Sequence, residues 1–590
     1  MMIIFLSKNK LVCHLFFLIL LFLHCYDPQL DDETVAIVGK EKILKDDLII
    51  SYELLPTWAP SKKGKEALTA HLDLLIQKKL FAQEGRKLGY AKHPDVIKAV
   101  NWYRNEELRK ALYRTIVEDQ IEISEQALLE TYYKNNMQLH IRHLFSKTEE
   151  GIKRIQQALK DGVLWEEIAK VSFKDSILAN NGGDLGWLGF GDMEETFEDS
   201  AFAQRIGTVS QPVKTRFGYH LIQVINVRKN VMMSQDDFIS KKSLLENMVF
   251  RRESKKLSSA FIKEFMAEKK VEMINKTFNF LVSKIRDRVI GVQSDENISL
   301  RMMEDNELNN LTVGLEGFQN EALITYKDGV WTIGDFMEKL QNLPVHRRPR
   351  MESPAKFRHD LGVMIRDDFL TQEAKKRELE EDPTVQKEVR YWEDEHIFSQ
   401  FWRDIQDTMT ISDESARAFF EKHRSRYWIP ERVRIQEILV RTQSEAEKIV
   451  KRLESGEDFS VLAEKYSLRR TTFQTDGDLG WLTRGQLGNI SLTAFELKIG
   501  QISKPIMVEG GYSVIKLLDR TSQRNKTFKE AELAVKADLR QQLSGIIYDQ
   551  WVARLKTKTK IQINDSLLTR LGNELGNEGR VLLPGVRDRF

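Results

Sequence analysis

The sequence predicts an α+β multidomain chain, mostly helical, with two small α+β domains (antiparallel sheets with surrounding helices) set between helical segments. Three observations predict it. The 590 residues amount to about four domains at ~150 residues each. The chain repeats itself at one long offset. Within each repeat the apolar spacing changes from helical to strand-like and back.

The repeat is read from separate stretches. Gly182-Gly183-Asp184-Leu185-Gly186-Trp187-Leu188 recurs as Asp476-Gly477-Asp478-Leu479-Gly480-Trp481-Leu482, an offset of 294. Gln83-Glu84 and Pro94 match Gln372-Glu373 and Pro383 at 289, and Ile123-Ser124 matches Ile411-Ser412 at 288. Val271 to Asn275 matches Ile561 to Asn564, again at 289. So long a period exceeds the roughly 20–50 residues of a solenoid unit, so a whole multi-part module has been duplicated.

Each module opens with a strand and turn, Val35 to Gly39 and its echo Leu323 to Tyr326 before Lys327-Asp328-Gly329. Leu68, Leu72, Leu75, Ile76 and Leu80 then form the stripe of a core-facing helix, which Gly89 ends. Pro94 starts a second helix with Val96, Val100 and Tyr103 on one face, and Ser124 with Glu125 opens a third. Ile141 to Phe145 reads as a short strand, 150–160 and Trp165 to Val171 as helices, followed by a glycine-rich loop. Phe202 falls in a short helix, and Tyr219 to Val227 is a strand rich in β-branched residues. Residues 234–275 and 528–564 return to helix, whereas 276–320 read as a linker of charged residues and Asn with weak periodicity.

These readings give an export signal (1–25), a helical segment (34–138), an α+β domain (139–228), a helical segment (229–275), the linker (276–320), a second helical segment (321–430), a second α+β domain (431–521) and a C-terminal helical segment (522–590). The signal rests on Lys8 and Lys10 ahead of the apolar run Leu11 to Leu23, which is short for a membrane span. Cys25 stands where lipoproteins carry the lipid-bearing cysteine. His24 is larger than a lipobox prefers, and both a lipidated and an ordinary signal cysteine stay open.

Composition narrows the function classes. With 41% hydrophobic and 30% charged residues the chain is neither disordered nor collagen-like. Without Lys8 and Lys10 it has 88 basic against 88 acidic residues, which argues against the basic stripe of a nucleic-acid binder. Cys13 and Cys25 are the only cysteines, so the body has neither a disulfide framework nor a cysteine zinc site.

The loop Gly186 to Gly191 has the glycines of a phosphate cradle, but a helix precedes it and the acidic Asp192, Glu194 and Glu195 follow it. His140, His143 and His220 could form a metal set, yet residues three apart on a strand point to opposite faces. No nucleophile elbow or Ser-His-Asp order is visible.

Arg142-His143-Leu144-Phe145, Phe173-x-Asp175, Gly182 to Trp187, Gly191-x-Met193, Phe197-Glu198-x-x-Ala201-Phe202, Gly207-x-Val209-Ser210-x-Pro212-Val213 and Phe217-Gly218-Tyr219-His220 together resemble a parvulin-type (PpiC, rotamase) peptidyl-prolyl isomerase domain, from about Leu139 to Val227. The helical segments resemble, more weakly, the chaperone parts of exported SurA- and PrsA-type chaperone-isomerases. The resemblance implies catalytic roles for His143, Asp175 and His220. It also implies a proline pocket of Leu185, Met193 and Phe197, with Phe217 at its rim and Thr215 as a nearby hydrogen-bonding group. It implies neither cofactor nor metal. The implied partners are unfolded or partly folded client polypeptides with X-Pro bonds, not nucleic acid, and the implied location is the periplasm or cell envelope. Anchoring to the membrane through the N-terminus stays open. The alternative function is a binding-only chaperone or a structural lipoprotein.

The chemistry suits these residue types. An X-Pro bond isomerises over tens of seconds because resonance gives C–N partial double-bond character. Catalysis needs no nucleophile; it needs the twisted amide held better than either planar form. An apolar pocket fixes the ring while polar neighbours answer the changed charge. The second copy lacks those neighbours: Glu437 replaces His143, Ser513 replaces His220, Leu487 replaces Met193, and Arg469 or Arg470 replaces Asp175. Its framework glycines and Trp481 persist, so it reads as a binding or structural copy.

Overall fold

The computed structural model describes residues 29–54, 62–230, 233–287, 303–349, 353–469 and 475–574. The export signal and Cys25 lie outside these residues. Among the described residues no helix is long and apolar enough to cross a membrane. The chain divides into two compact units, Met1–His93 with Asp394–Phe590, and Pro94–Glu393.

In the first unit the stripe Leu68, Leu72, Ile76 and Leu80 is buried on helix Gly64–Lys87, which Gly89 ends in a left-handed conformation. Phe81 extends that face into a ring cluster with Phe398, Phe401, Trp402 and Tyr548 at 5.2–6.0 Å. Backbones come close here: a Cβ on Gly85 would lie 2.4 Å from Ile397 Cγ2. Strand Thr34–Val38 runs in the middle of an antiparallel sheet, between Ile561–Ile563 and Glu41–Leu44. The unit also holds an α+β domain. Its central strand Arg432–Val440 lies between Asp478–Leu482 and Gly511–Thr521, and Ile506–Val508 forms the far edge.

The second unit has its own core. Phe278, Leu281, Leu308, Leu311, Leu323, Trp331, Phe336, Phe357, Leu361 and Ile365 are buried together. Its three-stranded sheet has Glu272–Met273 beside Ala322–Tyr326, and then Gly329–Thr332. Ser124 caps helix Glu125–Asn135 by accepting from the Ala127 amide at 3.1 Å. Helix Gln235–Lys269 follows the first α+β domain.

Two readings need correction. Residues 276–320 carry helices Asn275–Ile285 and Asp305–Gly314, whose apolar residues enter the core. Each is about three turns long, and the buried apolar residues, Phe278, Leu281 and Ile285 in the first and Leu308 and Leu311 in the second, are too few to set a clear period. The helical readings of 234–275 and 528–564 also run too far. Both stretches end in strands, Glu272–Met273 and Ile561–Ile563, whose sheet pairing is remote in sequence.

Candidate active site

The first α+β domain is built on the sheet order Asp184–Gly189, Met137–Ser146, Gly218–Lys229, Val213–Thr215, all antiparallel. Alternation along a strand sends Leu139, Ile141 and His143 to one face, with His220, Ile222 and Val224 beside them. The opposite face carries Leu144 and Leu221 against Ile152, Trp165 and Ile168. His143 pairs with Ile222 and His220 pairs with Phe145, so the two histidines are diagonal neighbours across the strands. Helix Glu195–Ala203 covers this face and sets Phe197 edge-on to both imidazoles, at 5.8 and 5.3 Å between centroids.

The imidazoles meet at Nδ1, 3.0 Å apart, and the Thr215 hydroxyl lies 2.9 Å from His220 Nε2. One Nδ1 must carry the hydrogen and the other accept it, so the contact excludes protonation of both rings at once. Burial pushes His143 down to about 3, with the neighbouring His220 adding to the effect, and burial alone pushes His220 down to about 4. The Phe217 amide donates to Thr215 Oγ1 at 3.1 Å, which fixes that hydroxyl. In either direction the relay ends at His143 Nε2, which is buried without a hydrogen-bond partner among the described residues.

This neutrality predicts a pH dependence. The folded-state pKa of each histidine lies below the unfolded value near 6.5, so unfolding takes up protons as the pH falls. Stability of this domain is complete above about pH 6.5. It is then lost towards pH 3–4 at about 1.4 kcal/mol per pH unit per histidine. Hydrogen exchange of strand Met137–Ser146 between pH 7 and 5 measures it; protection that does not fall with pH contradicts the neutral pair.

Around the pair the walls are aromatic and aliphatic. Phe173 lies 5.0 Å from His143 and Phe145 lies 5.1 Å from His220. Leu185 and Met193 pack, partly buried, against the cluster of Leu139, Ile141, Phe197 and Ile222. Phe217 is 53% exposed, as a rim residue would be. The pocket residues named from sequence therefore gather on one face with both histidines. Sequence reasoning missed Phe145 and Phe173 as walls; the available signal was an aromatic residue close to His143 and to Asp175.

Asp175 is placed differently from the expectation. It is exposed and caps helix Ser176–Asn180, its Oδ1 accepting from the Ile177 and Leu178 amides at 2.8 and 3.0 Å. No hydrogen bond to either imidazole is present among the described residues. His140 points away from the pair and meets Asp184 at 2.8 Å, as the strand alternation requires. The loop before Asp184 is held to the site by its backbone. The His143 amide donates to the Gly183 carbonyl at 3.0 Å, and a Cβ on Gly183 would lie 2.0 Å from the His143 carbonyl oxygen. Glu198, one residue past Phe197, was also missed. It accepts from the Gly191 amide at 2.6 Å and from Arg252 of helix Gln235–Lys269 at 2.5 Å.

The second α+β domain keeps the frame with other chemistry. Ser513 and Glu437 occupy the two histidine positions in an equivalent register, and the Glu437 amide again donates to the second glycine of the loop, Gly477, at 2.9 Å. Glu437 is 1% exposed; it accepts from Ser513 Oγ at 2.6 Å and is ion-paired with the Arg469 guanidinium. An ion pair with a hydroxyl thus stands where the first domain has its imidazoles.

Both frames match a known domain. The family model described as the PPIC-type PPIASE domain matches residues 113–228 and, in a second form, residues 432–519. The chain carries two parvulin domains. Foldase protein PrsA of Geobacillus kaustophilus is 35% identical over 148 residues, which cover 24% of this chain and 52% of that one. Foldase protein PrsA of Oceanobacillus iheyensis is 34% identical over 129 residues, covering 21% and 43%. Periplasmic chaperone PpiD of Haemophilus ducreyi is 34% identical over 124 residues, covering 20% of each chain. The chain thus spans about half the length of the PrsA relatives it matches.

Proposed function

We propose that the first parvulin domain, residues 139–228, is a peptidyl-prolyl cis-trans isomerase, and that the chain is a folding factor for exported polypeptides in the cell envelope. The observation that carries this is the neutral His143–His220 pair, closed by Thr215 and bordered by Phe197, Leu185 and Met193. A proline ring seated on the aliphatic side leaves the rest of the peptide free to rotate. The buried, fixed dipoles beside it favour the less conjugated amide without a covalent intermediate. The relatives named foldase and periplasmic chaperone support the same reading. In the second domain the Glu437–Arg469–Ser513 group favours a binding role without turnover.

Asp175 enters this reading through its charge, at the N-terminus of a short helix and two residues after Phe173, which lies against His143. The full chain is expected to speed the slow refolding phase of a proline-limited test protein. Asp175→Asn keeps the cap and removes the charge; Asp175→Ala removes both. A fall of about tenfold in kcat/KM for both variants assigns the effect to charge, equivalent to about 1.4 kcal/mol. A fall for Ala alone makes Asp175 a positioning residue, and a refolding phase untouched by the wild-type chain ends the isomerase reading.

A further inference from the structure

We infer that the two copies of the repeat are joined by exchange: each copy supplies the strand and helix surface that the other needs to close its helical core. Thr34–Val38 and Ala322–Tyr326 are counterparts in the repeat, as are the stretches that hold Glu272–Met273 and Ile561–Ile563. A copy closed on itself would pair its own first and last strands. The structure has the opposite pairing in both places. In one unit Val38 lies opposite Ile561 and Ile37 opposite Gln562; in the other Thr325 lies opposite Glu272 and Ile324 opposite Met273.

The helices follow the same rule. Phe81 of the first copy packs on Phe401 of the second at 5.8 Å in one unit. In the other unit Leu112 and Leu370, their counterparts at an offset of 289, share one apolar cluster with the roles of the copies reversed. Gly85 against Ile397 recurs likewise as Ala374 with Leu108. Tyr103 stacks on Trp392, its own counterpart, with centroids 3.7 Å apart and planes within 10°. Contacts i–j and j–i, with one residue meeting its own equivalent, are the signature of an isologous two-fold interface.

The partner that fits each copy is therefore a second copy of the same repeat, here supplied in the same chain. A single copy would leave Phe81 without the rings of Phe398, Phe401, Tyr548 and Trp551. It would also leave Phe278 and Leu281 without Leu323, Trp331 and Phe336. Exposed apolar surface of that kind drives association or aggregation.

The test uses the full chain with a protease recognition sequence inserted after Gln293, together with Glu272→Cys and Thr325→Cys. After cutting, the two pieces are expected to elute together at the volume of the uncut chain. On a denaturing gel without reductant they are expected to run as one disulfide-linked band. A second chain carries Glu272→Cys with Ile37→Cys, the pair that self-closure would bring together. Crosslinking in that chain, or separation of the cut pieces under native conditions, overturns the exchange.

Discussion

Phe197→Ala is expected to lower prolyl turnover by the full chain at least a hundredfold, on the order of 3 kcal/mol of transition-state preference. Phe197 is buried, edge-on to both imidazoles, and packed with Leu139, Ile141 and Ile222. Emptying such a position costs about 3–5 kcal/mol, and here the cavity opens beside the imidazole pair. Phe197→Leu keeps most of the volume and is expected to retain turnover within about tenfold. It separates loss of the ring edge from collapse of the domain. The alanine variant leaves residues 431–521 untouched, so the turnover that remains is a measure of the second domain. Residual activity near the wild-type value would place isomerase chemistry there and refute the inert second copy. Suppression of client aggregation by the same variant is expected to stay unchanged.

Arg469→Ala is expected to destabilise the second parvulin domain by about 3 kcal/mol, because it strands a buried carboxylate. Among the described residues Glu437 would keep only the Ser513 hydroxyl as a side-chain donor. Glu437→Ala is expected to cost less, since Arg469 is 41% exposed at its side chain and can turn to water. Amide hydrogen exchange along strand Arg432–Val440 reads both variants within the intact chain, where one unfolding midpoint would mix several domains. Equal protection in the two would mean that the ion pair contributes nothing beyond packing.

What the sequence made legible was whatever repeats or alternates locally. The stripe Leu68, Leu72, Ile76 and Leu80 gave its helix, and Gly89 its end. The residues that resemble the parvulin domain located both histidines, Thr215 and the three pocket residues on one face. The helices within 276–320 stayed hidden because each is only about three turns long and buries just two or three apolar residues, too short a run to set a clear period. Strands Glu272–Met273 and Ile561–Ile563 stayed hidden because two or three residues become a strand only through a partner in the other copy. Asp175 shows a different limit. Its position in the motif suggested a place beside the histidines, while the adjacent helix start claims its carboxylate as a cap.

The Arg252 guanidinium has a mechanical consequence. It ties the long arm Gln235–Lys269 to Glu198, the residue that follows Phe197, and its second nitrogen reaches Asp199. Any shift of that helix is therefore passed directly to helix Glu195–Ala203, which carries Phe197 beside the imidazoles.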